Sequence, residues 1–305
     1  MDERGTDRGT QAPAGSRRAQ AGILQWIEYA GFRVVAAVAS ALPLDVASAV
    51  SGRIWRFVAP KLRRHVRARA NIAASLPELS PERREAILLD MWENLGRTFG
   101  EAFHLPELAA ARDRVAIDLS PELEQLFRKG GVVLVSLHLG NWEIAVTSLA
   151  PYGLDAAGVY QSLKNPIVDD YVTAMRGPLY KAGLFSKGHD TVFKLMRVVR
   201  AGKSVAILAD QREHRGISVP FFGRPAPSNP FPAILARSQK VPLVAGYVLR
   251  TQGANFVVRG EIVEVPQTGD READVAAATA NLHALFERWI RQHPGQWMWG
   301  HRRWG

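Results

Sequence analysis

The stretch GVVLVSLHLGNWE, residues 131–143, decides the predicted fold of this chain. Five of its first seven residues are valine or leucine, and a short apolar run of this kind is typical of a buried strand. The run is followed at once by His138, by the pair Gly140-Asn141 and by Glu143. A buried strand therefore ends by presenting an imidazole, a turn and a carboxylate.

Strands and helices alternate around this stretch. We expect strands at 132–137, 158–160, 204–208, 242–249 and 255–265, and helices at about 80–103, 120–129, 141–149, 165–182, 191–201, 233–239 and 273–292. Two of these helices begin with Ser-Pro-Glu, which combines an N-cap, a proline at the first helical position and an acidic first turn. The pattern predicts an α/β fold with a central, mostly parallel sheet flanked by helices.

Composition and charge restrict the class of protein. The chain has 305 residues, of which 47% are hydrophobic and 22% charged, a composition that buries a sizeable core. It contains no cysteine, which excludes disulfides, a cysteine nucleophile and a thiolate metal site. Its net charge of +10 favours an anionic partner: nucleic acid, anionic lipid, a phosphorylated substrate or an acidic protein.

The N-terminal sixty residues differ from the rest of the chain. Residues 1–20 are polar and charged, and we predict a disordered tail. Residues 21–60 are apolar but interrupted by charges and by Pro43, and the basic run KLRRHVRAR follows at 61–69. This order predicts a helical segment that associates with a membrane, followed by a folded domain at 61–305. The alternative is an amphipathic helix packed on the domain with a solvated basic face.

The residues that follow the strands predict acid–base chemistry. In an open α/β sheet, ligands bind outside the carboxyl ends of the strands, and His138 and Asp210 both follow such ends. Gly140 permits a turn and Asn141 is a good N-cap, so Glu143 can fold back toward the imidazole. A carboxylate on one ring nitrogen leaves the other free to take a proton from a hydroxyl. We therefore predict His138 as general base and Glu143 as its orienting partner; the alternative is a core histidine with an unrelated surface glutamate.

Five sequence blocks, in order, resemble the late acyltransferases of lipid A biosynthesis and their relatives that acylate mannosylated phosphatidylinositol. The resemblance runs from about Ile23 to Trp304. The blocks are Arg69-Ala70-Asn71-Ile72 with Leu76-Pro77-Glu78-Leu79-Ser80, His138 to Glu143 as His-x4-Glu, Asn165-Pro166 with Arg176 and Gly183, Asp210-Gln211 with Pro220-Phe221-Phe222-Gly223, and Gln296-Trp297-Met298-Trp299 with His301-Arg302-Arg303.

The resemblance implies transfer of an acyl chain from acyl carrier protein, or less often coenzyme A, to a hydroxyl of a phosphorylated glycolipid. It implies a lipid A precursor as acceptor, the cytoplasmic face of the inner membrane as location, and no cofactor beyond the acyl donor. No H-E-x-x-H motif is present and His283, His293 and His301 lack metal-ligand spacing, so we expect no catalytic metal. His138 and Glu143 would be catalytic, and the candidate substrate-binding residues would be Asn141, Arg176, Asp210 and Gln211. Relatives often have arginine where this chain has Gln161, which leaves the exact substrate open.

Other readings of the sequence stay open. Within the enzymes, the acceptor could be another glycolipid, such as a mannosylated phosphatidylinositol, or a lysophospholipid. A non-enzyme alternative is a protein that binds anionic lipid through its positive charge. A nucleic-acid-binding protein is less well supported, because no helix-turn-helix, zinc-finger or RNA-binding signature is present. The pair Phe221-Phe222 fits either an acyl groove or a turn packed on the core.

Overall fold

The computed structural model describes residues 21–188 and 190–304. The predicted tail, residues 1–20, lies outside them. The α-helices are α1 (Ile23–Ala41), α2 (Leu44–Val58), α3 (Arg63–Ser75), α4 (Pro81–Glu101), α5 (Leu105–Ala110), α6 (Pro121–Lys129), α7 (Ala145–Leu149), α8 (Pro166–Arg176), α9 (Thr191–Arg200), α10 (Phe231–Gln239) and α11 (Arg271–Gln292). The strands are β1 (Val115–Asp118), β2 (Val133–Ser136), β3 (Ala156–Tyr160), β4 (Leu184–Ser186), β5 (Ser204–Leu208), β6 (Ile217–Phe221), β7 (Arg224–Ser228), β8 (Leu243–Arg250) and β9 (Phe256–Val263).

A seven-stranded sheet forms the centre of the molecule, in the order β1-β9-β8-β2-β5-β3-β4. All neighbouring strands in it are parallel except β8 and β9, which pair antiparallel. Strand β2 lies at its middle, and all four of its residues are buried. The apolar run at 131–137 thus has the covered position that its composition predicts, and the α/β fold with a mostly parallel sheet is confirmed.

The register between β2 and β5 decides what meets at the edge of the sheet. Ser136 of β2 lies opposite Leu208 of β5 in a parallel pairing. The residues two positions farther along each chain, His138 and Asp210, therefore leave the sheet side by side. This juxtaposition depends on the order of the strands in space, which the sequence pattern does not contain.

Several elements were not predicted. Strands β1 and β4 have only four and three residues and lie at the two edges of the sheet. Strands β6 and β7 form a separate antiparallel hairpin. Three prolines, at 220, 225 and 227, lie in this hairpin, and proline within an apolar run argues against a strand. A two-stranded ribbon tolerates them because each strand has one unpaired edge.

The apolar N-terminal segment folds as two helices, α1 and α2, which are separated at Pro43. Helix α1 contacts the domain through Phe32, whose ring lies 5.4 Å from that of Tyr171. Helix α2 packs closely on α4, since a Cβ on Gly96 would lie 2.6 Å from the Cβ of Trp55. Within the described part of the chain, no helix combines the length and apolarity needed to cross a membrane.

Candidate active site

The turn after β2 is fixed by close backbone contacts. Gly140 has a φ of +63°, which favours glycine, and a Cβ there would lie 1.7 Å from the carbonyl oxygen of Val248. The Gly140 N–H donates to the carbonyl of Gln296 and the Asn141 N–H to that of Val248. The turn is therefore held between β8 and the C-terminal segment, and it sets the direction in which His138 leaves the sheet.

His138 and Asp210 form the central pair of the site. Nδ1 of His138 lies 2.7 Å from Oδ1 of Asp210, and the backbone N–H of His138 donates to Oδ2 at 3.0 Å. Trp297 donates its indole N–H to the same Oδ2 at 2.8 Å. The carboxylate is 1% exposed and accepts three hydrogen bonds, so it is fixed behind the imidazole.

The charge state of Asp210 fixes the tautomer of His138. Burial alone would raise the pKa of the Asp210 carboxyl, but the positive charge of His138 and the hydrogen bonds from His138 and Trp297 outweigh burial and hold this pKa well below its usual range. An ionised carboxylate can only accept, so Nδ1 of a neutral His138 carries the proton. Nε2 then has the free lone pair that a general base requires.

Glu143 was predicted to orient His138, but in the structure its carboxylate has other partners. Its carboxylate forms an ion pair with Arg176, at 2.5 Å, and accepts the indole N–H of Trp142 at 3.2 Å. The physical reason is the local fold: residues Trp142–Ile144 form a 3-10 turn rather than the first turn of an α-helix, and the Asn141 side chain caps it by accepting the Glu143 N–H. The carboxylate on Nδ1 comes instead from β5, the neighbouring strand.

Asn141, a candidate substrate-binding residue, is fully buried in the structure. Its side-chain amide donates to Oε2 of Glu101 at 2.8 Å. The second candidate, Asp210, is also buried and contacts His138. In the structure Asn141 supports the turn and Asp210 supports the imidazole, and their binding of substrate stays a prediction.

Gln211 joins two imidazoles. Its amide nitrogen lies 3.1 Å from Nε2 and 3.4 Å from Nδ1 of His138, and 2.9 Å from Nε2 of His301. Burial, followed by the positive charge of His138, lowers the pKa of His301 to about 4, so His301 is neutral and can accept the amide proton. The sequence placed His301 in a C-terminal block but assigned it no role in the chemistry.

A cavity of about 880 Å³ opens at the carboxyl ends of β2, β3 and β5. Three predicted site residues besides His138 line it, namely Glu143, Arg176 and Gln211. Its lining also includes apolar side chains and further polar ones, among them Val146, Tyr180, Leu184, Lys187, Val192, Leu195, Arg212 and Phe231. Its volume lies in the upper part of the range of small-molecule sites, and its mixed lining suits a ligand with both a polar and an apolar part.

The aromatic pair Phe221-Phe222 belongs to the core. The two rings are 0% and 5% exposed and pack on Trp297, Trp299 and Trp304. This decides the open choice between an acyl groove and a packed turn in favour of the turn. Trp297 is 1% exposed and belongs to the same core, and its indole N–H also fixes Asp210.

No cluster of three or more histidine, aspartate or glutamate side chains suited to a metal ion occurs among residues 21–188 and 190–304. The histidine and carboxylate of the site are instead bonded to each other and to neighbouring amide and indole groups. This arrangement is suited to moving a proton between a bound hydroxyl and the imidazole.

Comparison with known proteins adds two findings. A family model described as bacterial lipid A biosynthesis acyltransferase matches residues 17–305 of the chain. The chain is also similar to a lipid A biosynthesis lauroyltransferase of Escherichia coli (strain K12), with 23% identity over 290 residues and coverage of 91% of each chain.

Proposed function

The chain belongs to the bacterial lipid A biosynthesis acyltransferase family, and we propose that it transfers a fatty acyl chain from acyl carrier protein, or from coenzyme A, to a hydroxyl of a lipid A precursor. That it is an acyltransferase follows from the family. The finer assignment is supported by one observation above all: a histidine with a free Nε2, oriented by a buried carboxylate, opens on a cavity of mixed polarity.

The proposed reaction needs one base and no protein nucleophile. Nε2 of His138 takes the proton of the acceptor hydroxyl while the hydroxyl oxygen attacks the thioester carbonyl. The tetrahedral intermediate collapses, the carbon–sulfur bond breaks, and the imidazolium returns its proton to the leaving thiolate. Asp210 stabilises the imidazolium between these two steps and keeps its proton on Nδ1.

Three N–H groups of the turn are not available to stabilise the negative charge that develops on the carbonyl oxygen. The N–H groups of Gly140, Asn141 and Glu143 already have acceptors in Gln296, Val248 and the Asn141 side chain. Arg176 lines the cavity, is positively charged and has a buried Nε without a partner among the described residues. We assign it to the developing oxyanion, with Glu143 fixing its position through their ion pair.

The surface of α1 and α2 supports association with a membrane. Val46, Val50, Ile54 and Phe57 recur every three or four residues of α2, so they share one face, and Phe57 is 71% exposed. Ile23 and Leu24 of α1 are 80% and 75% exposed. The basic side chains of α3 follow directly in the chain. We propose that α1 and α2 lie on the anionic cytoplasmic leaflet of the inner membrane, where the acceptor lipid is held.

A transfer assay with a panel of substrates tests this function. Purified protein in detergent is given acyl carrier protein or coenzyme A loaded with chains of several lengths, together with a lipid A precursor, a mannosylated phosphatidylinositol or a lysophospholipid. The expected result is a lipid A precursor heavier by one acyl chain. If only another acceptor gains an acyl chain, the proposed reaction stands but the lipid A precursor is not its substrate. Failure with every acceptor and both donors would contradict the proposed function.

A further inference from the structure

His301 lies close to the imidazole of His138. The centroids of the His301 and His138 rings are 5.6 Å apart, and the Gln211 side-chain amide lies between them. Helix α3 holds the segment that carries His301 in place. The side-chain amide of Asn71, on α3, donates to the carbonyls of Trp299 and His301 at 2.8 and 2.7 Å. The second imidazole therefore has a defined position with respect to the base.

The two distances from Gln211 to His138 define where its amide nitrogen lies. The in-plane lone pair of Nε2 points out of the ring, away from Nδ1, so a donor on that lone pair would be much farther from Nδ1 than from Nε2. The distances to Nε2 and Nδ1 are nearly equal, at 3.1 and 3.4 Å. The amide nitrogen therefore lies over the face of the ring, and the Nε2 lone pair stays open.

An amide in this place could also block the base. The Gln211 side chain is close enough that rotation would bring its N–H onto the in-plane lone pair of Nε2, the atom that must accept the substrate proton. What holds it over the face is the acceptor on its other side, Nε2 of His301, at 2.9 Å. The orientation of Gln211 thus depends on His301.

We propose that His301 is a positioning residue that acts through Gln211: it anchors the Gln211 amide over the face of His138 and so keeps Nε2 open to the acceptor hydroxyl. The inference rests on the proposed function of His138 as general base. Loss of the His301 imidazole should lower kcat, because in a fraction of molecules the Gln211 amide would donate to Nε2 of His138. KM should stay nearly unchanged.

A double-mutant cycle tests this coupling. His301→Leu should lower kcat by roughly tenfold, the effect of one hydrogen bond, and His301→Gln, which supplies an acceptor oxygen, should restore most of it. In a Gln211→Leu background the same His301→Leu change should have no further effect. Equal losses in both backgrounds would overturn the inference. His214→Leu, at an exposed histidine, controls for the loss of an imidazole.

A second readout does not depend on turnover. The ¹⁵N resonance of Nε2 in His138, measured at a pH where the imidazole is neutral, should move in His301→Leu and return in His301→Gln. An unchanged resonance in His301→Leu would overturn the inference. If the wild-type protein transfers no acyl chain but this resonance responds as expected, the proposed function fails while the contact between His301 and His138 through Gln211 stands.

Discussion

The Asp210 carboxylate accepts two hydrogen bonds from His138 and one from Trp297 at a position with almost no solvent. Glu143, five residues from the histidine in sequence, is bound to Arg176. The two carboxylates therefore have separable roles. Asp210 fixes the tautomer of His138, the proposed base, whereas Glu143 fixes a guanidinium on the cavity wall.

Substitution of each carboxylate by its amide distinguishes these roles. Asp210→Asn places an NH₂ group or a neutral oxygen beside Nδ1 and removes the charge that stabilises the imidazolium, so we expect kcat to fall by ~10³–10⁴-fold. Glu143→Gln leaves the His138 contacts intact, and we expect a loss of about tenfold. Steady-state kinetics of both variants provides the measurement. A larger loss in Glu143→Gln than in Asp210→Asn would return Glu143 to the position of orienting residue.

Between elements, a buried ion pair connects α4 and β8 to the turn that carries His138. Glu101 and Arg250 are 0% and 8% exposed and are bonded to each other, and Glu101 also accepts from Ser48 and Asn141. The same region holds the Gly140 carbonyl, which accepts hydrogen bonds from Asn94 and Thr98. The helices therefore determine where the turn, and with it His138, is placed.

Removal of one member of this ion pair should lower the stability of the folded protein. Arg250→Met leaves Glu101 as an uncompensated buried charge, and we expect the free energy of unfolding to fall by about 3–5 kcal/mol. Arg259→Met is the matched control, because the pair that it breaks with Asp118 is exposed and is worth less than about 1 kcal/mol. Urea unfolding of both variants in detergent gives the comparison. Similar losses in the two would show that the buried pair does not hold the elements together.

Several elements were predictable because their signals are local. Ser80 and Ser120 cap their helices as the sequence predicts, by accepting the N–H groups of Arg83 and Leu123. The buried strand β2 follows from its run of valine and leucine. The partner of His138 was not predictable in this way, since Asp210 reaches it only through the pairing of β2 with β5. The β6–β7 hairpin was hidden by its prolines, and the 3-10 turn that redirects Glu143 has no clear sequence signal.

At the scale of the whole molecule, buried histidines make stability depend on pH. His283 is fully buried, and burial, followed by the charge of Arg303, lowers its pKa to about 4. Between about pH 4 and 6.5 the unfolded chain therefore binds a proton at His283 that the native protein does not. The stability associated with neutral His283 is present above pH 6.5 and is lost as the pH falls to about 4.

This linkage is measurable. The free energy of unfolding should decrease by up to about 1.4 kcal/mol per pH unit for this one group as the pH falls through that range. His283→Leu should have a flatter dependence, although it is less stable at neutral pH because a packed side chain is changed. Unfolding curves at several pH values, with His214→Leu as an exposed control, measure the two slopes. Equal slopes in His283→Leu and the control would contradict the assignment.

The exposed apolar face of α2 allows the membrane proposal to be tested. Ile54→Asp and Phe57→Asp put charges on the exposed face of α2, and each should reduce binding to vesicles that contain anionic phosphatidylglycerol. Ile262→Asp, on β9 and 40% exposed, should leave binding unchanged. Flotation with vesicles gives the bound fraction, and added salt should weaken it because the basic residues of α3 contribute. Undiminished binding of both α2 variants would exclude this face as the contact.

The role of His138 is tested most directly by the mass of the acceptor lipid after incubation with an acyl donor. The measurement compares the wild-type protein, His138→Ala and His214→Ala. We expect a gain of one acyl chain with the wild-type protein and with His214→Ala, and a loss of at least about 10²-fold in rate with His138→Ala. The fold should be intact in all three proteins, as judged by their unfolding midpoints. A His138→Ala variant that is folded and transfers the acyl chain at the wild-type rate would contradict the role of His138 as general base.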